Sequence, residues 1–167
     1  MSETSSKAPD SPEVSAAKAA LLAALDPIAQ ALVGVDLSDP PAARALIQER
    51  LPFDGPEVTK LRAAASAGAE AGWLLTRSAG EIRFGRPAKD LHGFSVDAVA
   101  MSGPGPRHRH PNGEIDLCFT TEGSAAFDGN PEGWVIYGPD SVHVPTVREG
   151  SMLILYFLPG GAIEFLG

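Results

Sequence analysis

Apolar residues recur with a helical period over residues 14–33. Leu21, Leu25, Ile28 and Leu32 follow one another at spacings of four, three and four, which sets them on one stripe of an α-helix. The alanines between them favour that conformation, and Pro27 inside the run is expected to kink or divide it. Asp39-Pro40 then reads as a capping residue with proline in the first turn. It predicts a second helix through Ala43, Leu46, Ile47 and Leu51. Asp54-Gly55-Pro56-Glu57 repeats the start signal for a third, with Val58, Leu61, Ala65 and Ala69 on one face, Gly68 as a weak point and Gly72 as the stop. Residues 14–72 therefore form a helical segment with no polar cluster of its own, suited to a covering or dimerisation role. The polar residues 1–13 before it predict a disordered tail.

From residue 73 the period changes to two. Residues 73–76 and 81–84 flank Arg77-Ser78-Ala79-Gly80, which predicts a hairpin. Residues 92–101 alternate, with Phe94, Val96, Ala98 and Ala100 on one face. Further strands are expected at 114–120, 124–127, 133–137, 142–147, 151–158 and 162–165, separated by turns such as Asp128-Gly129-Asn130-Pro131 and Gly138-Pro139-Asp140-Ser141. Short strands at this spacing predict a β-sandwich or closed barrel over residues 73–167.

Composition narrows the partners. A formal charge of -8 and a pI near 4.9 argue against nucleic acid or an anionic membrane. No apolar run approaches the roughly 18–20 residues that span a bilayer, and no basic segment followed by an apolar core marks a secretory signal. The single cysteine, Cys118, excludes an internal disulfide and suits a reducing cytoplasm. It is read as a small buried apolar residue.

The chemistry concentrates in Arg107-His108-Arg109-His110-Pro111-Asn112-Gly113-Glu114. On an extended strand, residues i and i+2 share a face, so His108 and His110 aim at one point. Pro111-Asn112-Gly113 is turn chemistry that can return Glu114 beside them. Two imidazoles and a carboxylate suit a divalent first-row metal. His143, after the turn at Pro139, is the candidate third imidazole. Asp116 shares a strand face with Glu114 and Cys118 and is the alternative carboxylate.

These segments resemble the two motifs of the cupin superfamily, small jelly-roll β-barrels. The first, G-x5-H-x-H-x3,4-E-x6-G, is matched by GPGPRHRHPNGEIDLCFTTEG, and the second, G-x5-P-x-G-x2-H-x3-N, by GWVIYGPDSVHVPTV. Gly103 stands one residue too near His108, and counting back from Gly123 puts the acidic position on Asp116. In the second motif Ser141 replaces glycine, His143 comes one residue early and the final asparagine is missing.

A narrower resemblance, carried by GWLLTRSAGEIRFGRPAKD, HGFSVDAV, HRHPNGEIDL, FDGNPEGWVIYGPDSVHVPTV and LYFLPGGAIEF, is to the bacterial 4-hydroxylaminobenzoate lyases. It implies a mainly β, cupin-type jelly-roll barrel preceded by a helical segment. It also implies conversion of 4-hydroxylaminobenzoate to 3,4-dihydroxybenzoate with release of ammonia.

For such a reaction the expected metal ligands and catalytic residues are His108, His110, Glu114 and His143. The expected cofactor is a divalent ion (Fe, Mn, Ni, Co or Zn), since donor type does not choose among these. The substrate would be a small aromatic carboxylate, which calls for an arginine fork. Arg107 and Arg109 alternate with the histidines and point away, leaving Arg83 or Arg86, which fall on opposite faces of one strand. Trp134, Tyr137 and Tyr156 could line an aromatic slot but are read first as core packing, and His92, which could add a polar group to the cavity, is read first as a surface histidine. A homodimer is expected from paired sheet edges. The alternatives are a metal-dependent dioxygenase or isomerase on another small aromatic acid, and a non-catalytic ligand-binding cupin.

Overall fold

The structure, a computed structural model, describes residues 9–167. Of the tail expected over residues 1–13, residues 1–8 lie outside the described residues. The first helix, α1 (Pro12–Leu32), starts two residues before the periodic stripe. Ser11 caps it by accepting from the Val14 N–H at 3.2 Å, with proline at the first helical position and Glu13 in the first turn. Pro27 does not divide α1, whose buried face runs unbroken through Leu21, Leu25, Ile28 and Leu32. Asp39 caps α2 (Pro40–Arg50) through the Ala42 N–H, and Gly72, in the left-handed region, ends α3 (Pro56–Ala71). Gly68 is there for packing: a Cβ at that position would stand 2.7 Å from the Trp73 ring.

Nine strands follow: β1 (Arg77–Ala79), β2 (Ile82–Leu91), β3 (Phe94–Met101), β4 (His108–His110), β5 (Glu114–Phe127), β6 (Gly133–Tyr137), β7 (Ser141–His143), β8 (Val147–Pro159) and β9 (Glu164–Phe165). They form an antiparallel six-stranded sheet in the order β1-β2-β3-β8-β5-β6 and a three-stranded sheet in the order β7-β4-β9. The mainly β fold behind N-terminal helices is as expected, but the barrel is not closed. The segments around the small sheet carry Pro104, Pro106, Pro111, Pro139 and Pro145, each without a ladder donor. Its strands are two or three residues long.

Several boundaries differ from the sequence reading. Residues 73–76 are not a strand, and the first hairpin turns at Gly80-Glu81. Residues 114–127 are one strand, because the polar stretch from Thr121 stays paired to β8 beyond the core, through irregular register at Thr120/Glu122 and Gly123/Ala126. The expected strand at 142–147 breaks at Pro145. His143 ends β7 in the small sheet, while Val147 begins β8 in the large one.

Alternation along the large sheet separates its two faces. Val96, Ala98, Ile115, Leu117, Phe119, Trp134, Leu153, Leu155 and Phe157 pack beneath the helices in one core. Trp134 Nε1 donates to the Leu51 carbonyl at 2.9 Å and Arg44 Nε to the Trp134 carbonyl at 2.8 Å, tying helix to strand. The opposite face carries Glu114, Asp116, Cys118, Ile154 and Tyr156. Of these, Cys118, Ile154 and Tyr156 share a second cluster with Phe127, Val147 and Met152. One face is thus covered by helices, and the other is free to build a site.

Candidate metal centre

β4 pairs antiparallel with β7 so that His108 lies opposite His143 and His110 opposite Ser141. The three imidazoles meet at near-equal spacing, with ring centroids 4.6, 4.6 and 4.7 Å apart. Gly113, at φ 84°, turns the chain between β4 and β5. A Cβ there would stand 2.8 Å from both Leu37 Cδ1 and the Tyr137 carbonyl. The turn brings Glu114 Oε2 to 3.0 Å from His110 Nε2 and 3.9 Å from His143 Nε2. One ligand atom from each of His108, His110, Glu114 and His143 lies within 4.8 Å of all the others. Asp116, the alternative carboxylate, is outside that group.

The hydrogen bonds fix how each ring presents itself. His108 Nδ1 is 2.9 Å from the Pro106 carbonyl, which can only accept. Ser141 Oγ donates to the Gly138 carbonyl at 2.6 Å and therefore accepts from His110 Nδ1, 2.9 Å away. His143 Nδ1 donates to Asp128 Oδ2 at 2.7 Å. Each Nδ1 thus carries a proton, and each ring turns its Nε2 to the centre. The Nε2 atom of His108 is 2.8 Å from that of His110 and 3.1 Å from that of His143. Glu114 Oε2 is fully enclosed and has no hydrogen-bond partner.

A cation placed between these nitrogens and the enclosed carboxylate oxygen would offset the cost of burying them so close together. Three imidazole nitrogens and one carboxylate oxygen, at the wall of a cavity that leaves positions open, fit a divalent first-row ion. Each ligand ring is also held through its far nitrogen, as metal-bound histidines are.

Electrostatics support the same assignment. Burial lowers the His108 pKa, against the opposing pull of the Pro106 hydrogen bond and the Glu114 charge, so the ring stays neutral. Asp116 is fully enclosed, and burial followed by the adjacent Glu114 charge pushes its pKa far up. Both effects favour its neutral form and set it apart from Glu114 as a donor. Burial also raises Cys118, in keeping with an inert thiol. For Asp128, burial works upward, but hydrogen bonds from His143, Tyr137 and the Thr146 N–H outweigh it and keep the carboxylate ionised.

His108 and Glu114 line one wall of a cavity of about 680 Å³ whose other walls include Ile82, Phe84, Val99, Tyr156 and Phe165. Arg86 lines it; Arg83 does not and is exposed. Arg86 already grips Asp97, with Nε 2.7 Å from Oδ1 and Nη2 3.2 Å from Oδ2. Arg77 and Lys89 add positive charge to the same cavity.

Tyr156 lines the cavity, the slot role open to it in the sequence, rather than serving only as core packing. Tyr137 is not simple packing either: its ring centroid is 4.2 Å from that of His143. Trp134 lies under the helices as expected, and His92 is exposed, bonded to Asp26 at 2.8 Å. The sequence reading missed Ser141 and Asp128. Ser141 had a visible signal, because it departs from the glycine of the cupin motif. Asp128 read only as a turn residue.

A relative from Nocardioides sp. (strain LMS-CY), named 4-hydroxylaminobenzoate lyase, is 35% identical over 92 residues, covering 50% of this chain and 54% of that protein. One from Pseudomonas putida, of the same name, is 30% identical over 80 residues, covering 46% of each. The chain thus spans about half the length of the curated relatives it matches. Among solved structures, an RmlC-like cupin protein from Ralstonia eutropha JMP134 is similar at 14% identity and a TM-score of 0.40, covering 53% of this chain and 62% of that one. A chain from the crystal structures of DMSP lyases RdDddP and RnDddQII is similar at 15% identity and a TM-score of 0.42, covering 92% and 99%. The family model described as PnbB, 4-hydroxylaminobenzoate lyase, matches residues 34–165; over most of its length, then, the chain belongs to the 4-hydroxylaminobenzoate lyase family.

Proposed function

We propose that the protein converts 4-hydroxylaminobenzoate and one water to 3,4-dihydroxybenzoate and ammonia. The observation that carries this reading is the convergence of three imidazoles and the Glu114 carboxylate, of which His108 and Glu114 face a cavity with apolar sides. In the reaction the N–O bond breaks with its electron pair leaving on oxygen, which departs as water. One water oxygen bonds to the ring carbon beside the C–N bond, which loses its proton. A second water oxygen bonds to the carbon bearing nitrogen as the C–N bond breaks and nitrogen leaves as ammonia. The water released offsets one of the two taken up, so the net uptake is one. The sum is redox-neutral: nitrogen is reduced as the ring is oxidised.

His108, His110 and His143 through Nε2, and Glu114 through Oε2, would hold the divalent ion. Such an ion supplies Lewis acidity toward the hydroxylamine oxygen and a source of hydroxide at neutral pH. The chain's own contribution is placement. Ile82, Phe84, Val99, Tyr156 and Phe165 offer apolar walls to the aromatic ring and exclude water from it. Arg86, held rigid by Asp97, receives the substrate carboxylate, with Arg77 and Lys89 adding charge nearby. Because Arg83 stands outside the cavity, Arg83→Ala leaves KM unchanged, whereas Arg86→Ala raises it at least tenfold.

The direct test is to incubate purified, metal-analysed protein with 4-hydroxylaminobenzoate and to measure ammonia and the catechol product together. Equal amounts of both are expected. Metal-loaded protein that yields neither would discard the reading.

A further inference from the structure

His108 and His110 find neutral Nδ1 acceptors, a backbone carbonyl two residues back and a hydroxyl on the paired strand. His143 finds a carboxylate from outside the small sheet. It ends a three-residue strand, and its Nδ1 is served from the turn after β5 by a carboxylate fifteen residues away in the chain. We propose that Asp128 is a positioning residue of the centre, whose carboxylate locks His143 in the Nδ1–H tautomer and so aims its Nε2 lone pair at His108, His110 and Glu114.

Asp128 is built for this task. Its backbone sits at φ 49°, a conformation few non-glycine residues adopt. Its N–H donates to the Thr146 carbonyl at 2.8 Å, and Oδ1 accepts from the Thr146 N–H at 2.8 Å. Both bonds clamp the turn to the segment that follows His143. Oδ2 then accepts from His143 Nδ1 and from the Tyr137 hydroxyl, while the Tyr137 ring lies along the imidazole. Three donors converge on this one side chain. Only a carboxylate can accept from all of them, since an amide must present its NH2 to one side. In Asp128→Asn, with the amide oxygen kept by Thr146, the NH2 faces His143. It then donates to Nδ1 and moves the ring proton to Nε2, into the centre.

The test reads the tautomer directly. Long-range 1H–15N spectra of the metal-free protein at pH 8 distinguish Nδ1–H from Nε2–H for each ring. Wild type should show His143 as Nδ1–H; Nε2–H there overturns the proposal, with no variant needed. Asp128→Asn should convert His143 alone to Nε2–H and weaken Co2+ binding by about ten- to a hundredfold, the usual cost of losing such a partner. Tyr137→Phe leaves the carboxylate in place, so it should keep the Nδ1–H form with a smaller loss of affinity. A folded Asp128→Asn protein with the wild-type tautomer and wild-type Co2+ affinity would also overturn it. The tautomer result is independent of the substrate, so it stands or falls apart from the lyase assay.

Discussion

Glu114 and Asp116 show how two carboxyls on one face of a strand take different parts. Glu114 points into the ring of imidazoles; Asp116 is sealed beside it, where burial and the Glu114 charge push its pKa up. The unfolded chain releases that proton above the ordinary aspartate value near 4, while the folded chain holds it to higher pH. The stability from this group is therefore present below that value and is lost as pH rises toward the folded pKa. Asp116→Asn removes the dependence. Urea unfolding of metal-free protein should show the variant more stable than wild type at pH 8 and closer to it at pH 4. An equal loss at both pH values would contradict a protonated Asp116. His108 contributes in the opposite sense: its lowered pKa gives stability that is present above about 6.5 and is lost on acidification. Glu114→Gln removes the anionic donor and should cost metal retention, read by elemental analysis, where Asp116→Asn does not.

At the scale of elements, the site depends on one turn. Gly80 and Gly113 both have positive φ, but a Cβ at Gly80 would meet nothing within 4 Å, whereas one at Gly113 would collide with Leu37 and the Tyr137 backbone. Gly80→Ala should cost about 1 kcal/mol of backbone strain alone. Gly113→Ala should cost about 2–3 kcal/mol and also weaken metal binding, because Glu114 moves relative to His110. Chemical denaturation with a parallel metal titration separates the two.

Much of this was legible in the chain. The i, i+2 rule brought His108 and His110 together, the Pro-Asn-Gly turn returned Glu114, and helical spacing found α1, α2 and α3. The rest was decided by long-range pairing, which local pattern does not encode. The polar end of β5 looked like a turn because it lies beyond the core, yet its backbone still pairs with β8. Asp128 looked like any turn aspartate, because its purpose lies in a histidine fifteen residues on. Arg86 and Arg83 could be set on opposite faces but not ranked, since the cavity wall is drawn by several strands at once.

At the scale of the whole molecule, the large sheet serves two purposes. Its helix-facing side carries the larger apolar core, and its other side can therefore bury Glu114 and Asp116 without forfeiting the fold. No helix among the described residues is long and apolar enough to cross a membrane. The small sheet is held differently. Its strands are two or three residues long, and its backbone pairing stays within itself.

Three of the four candidate ligands belong to that small sheet, and the fourth opens β5, an interior strand of the large one. A captured ion would thus act as a rivet between two layers that share little backbone bonding. Stripping it should loosen one layer and spare the other. Amide exchange ought then to quicken in β4, β7 and β9 while β3 and β8 keep their protection, so that filling the centre finishes the architecture as well as arming it.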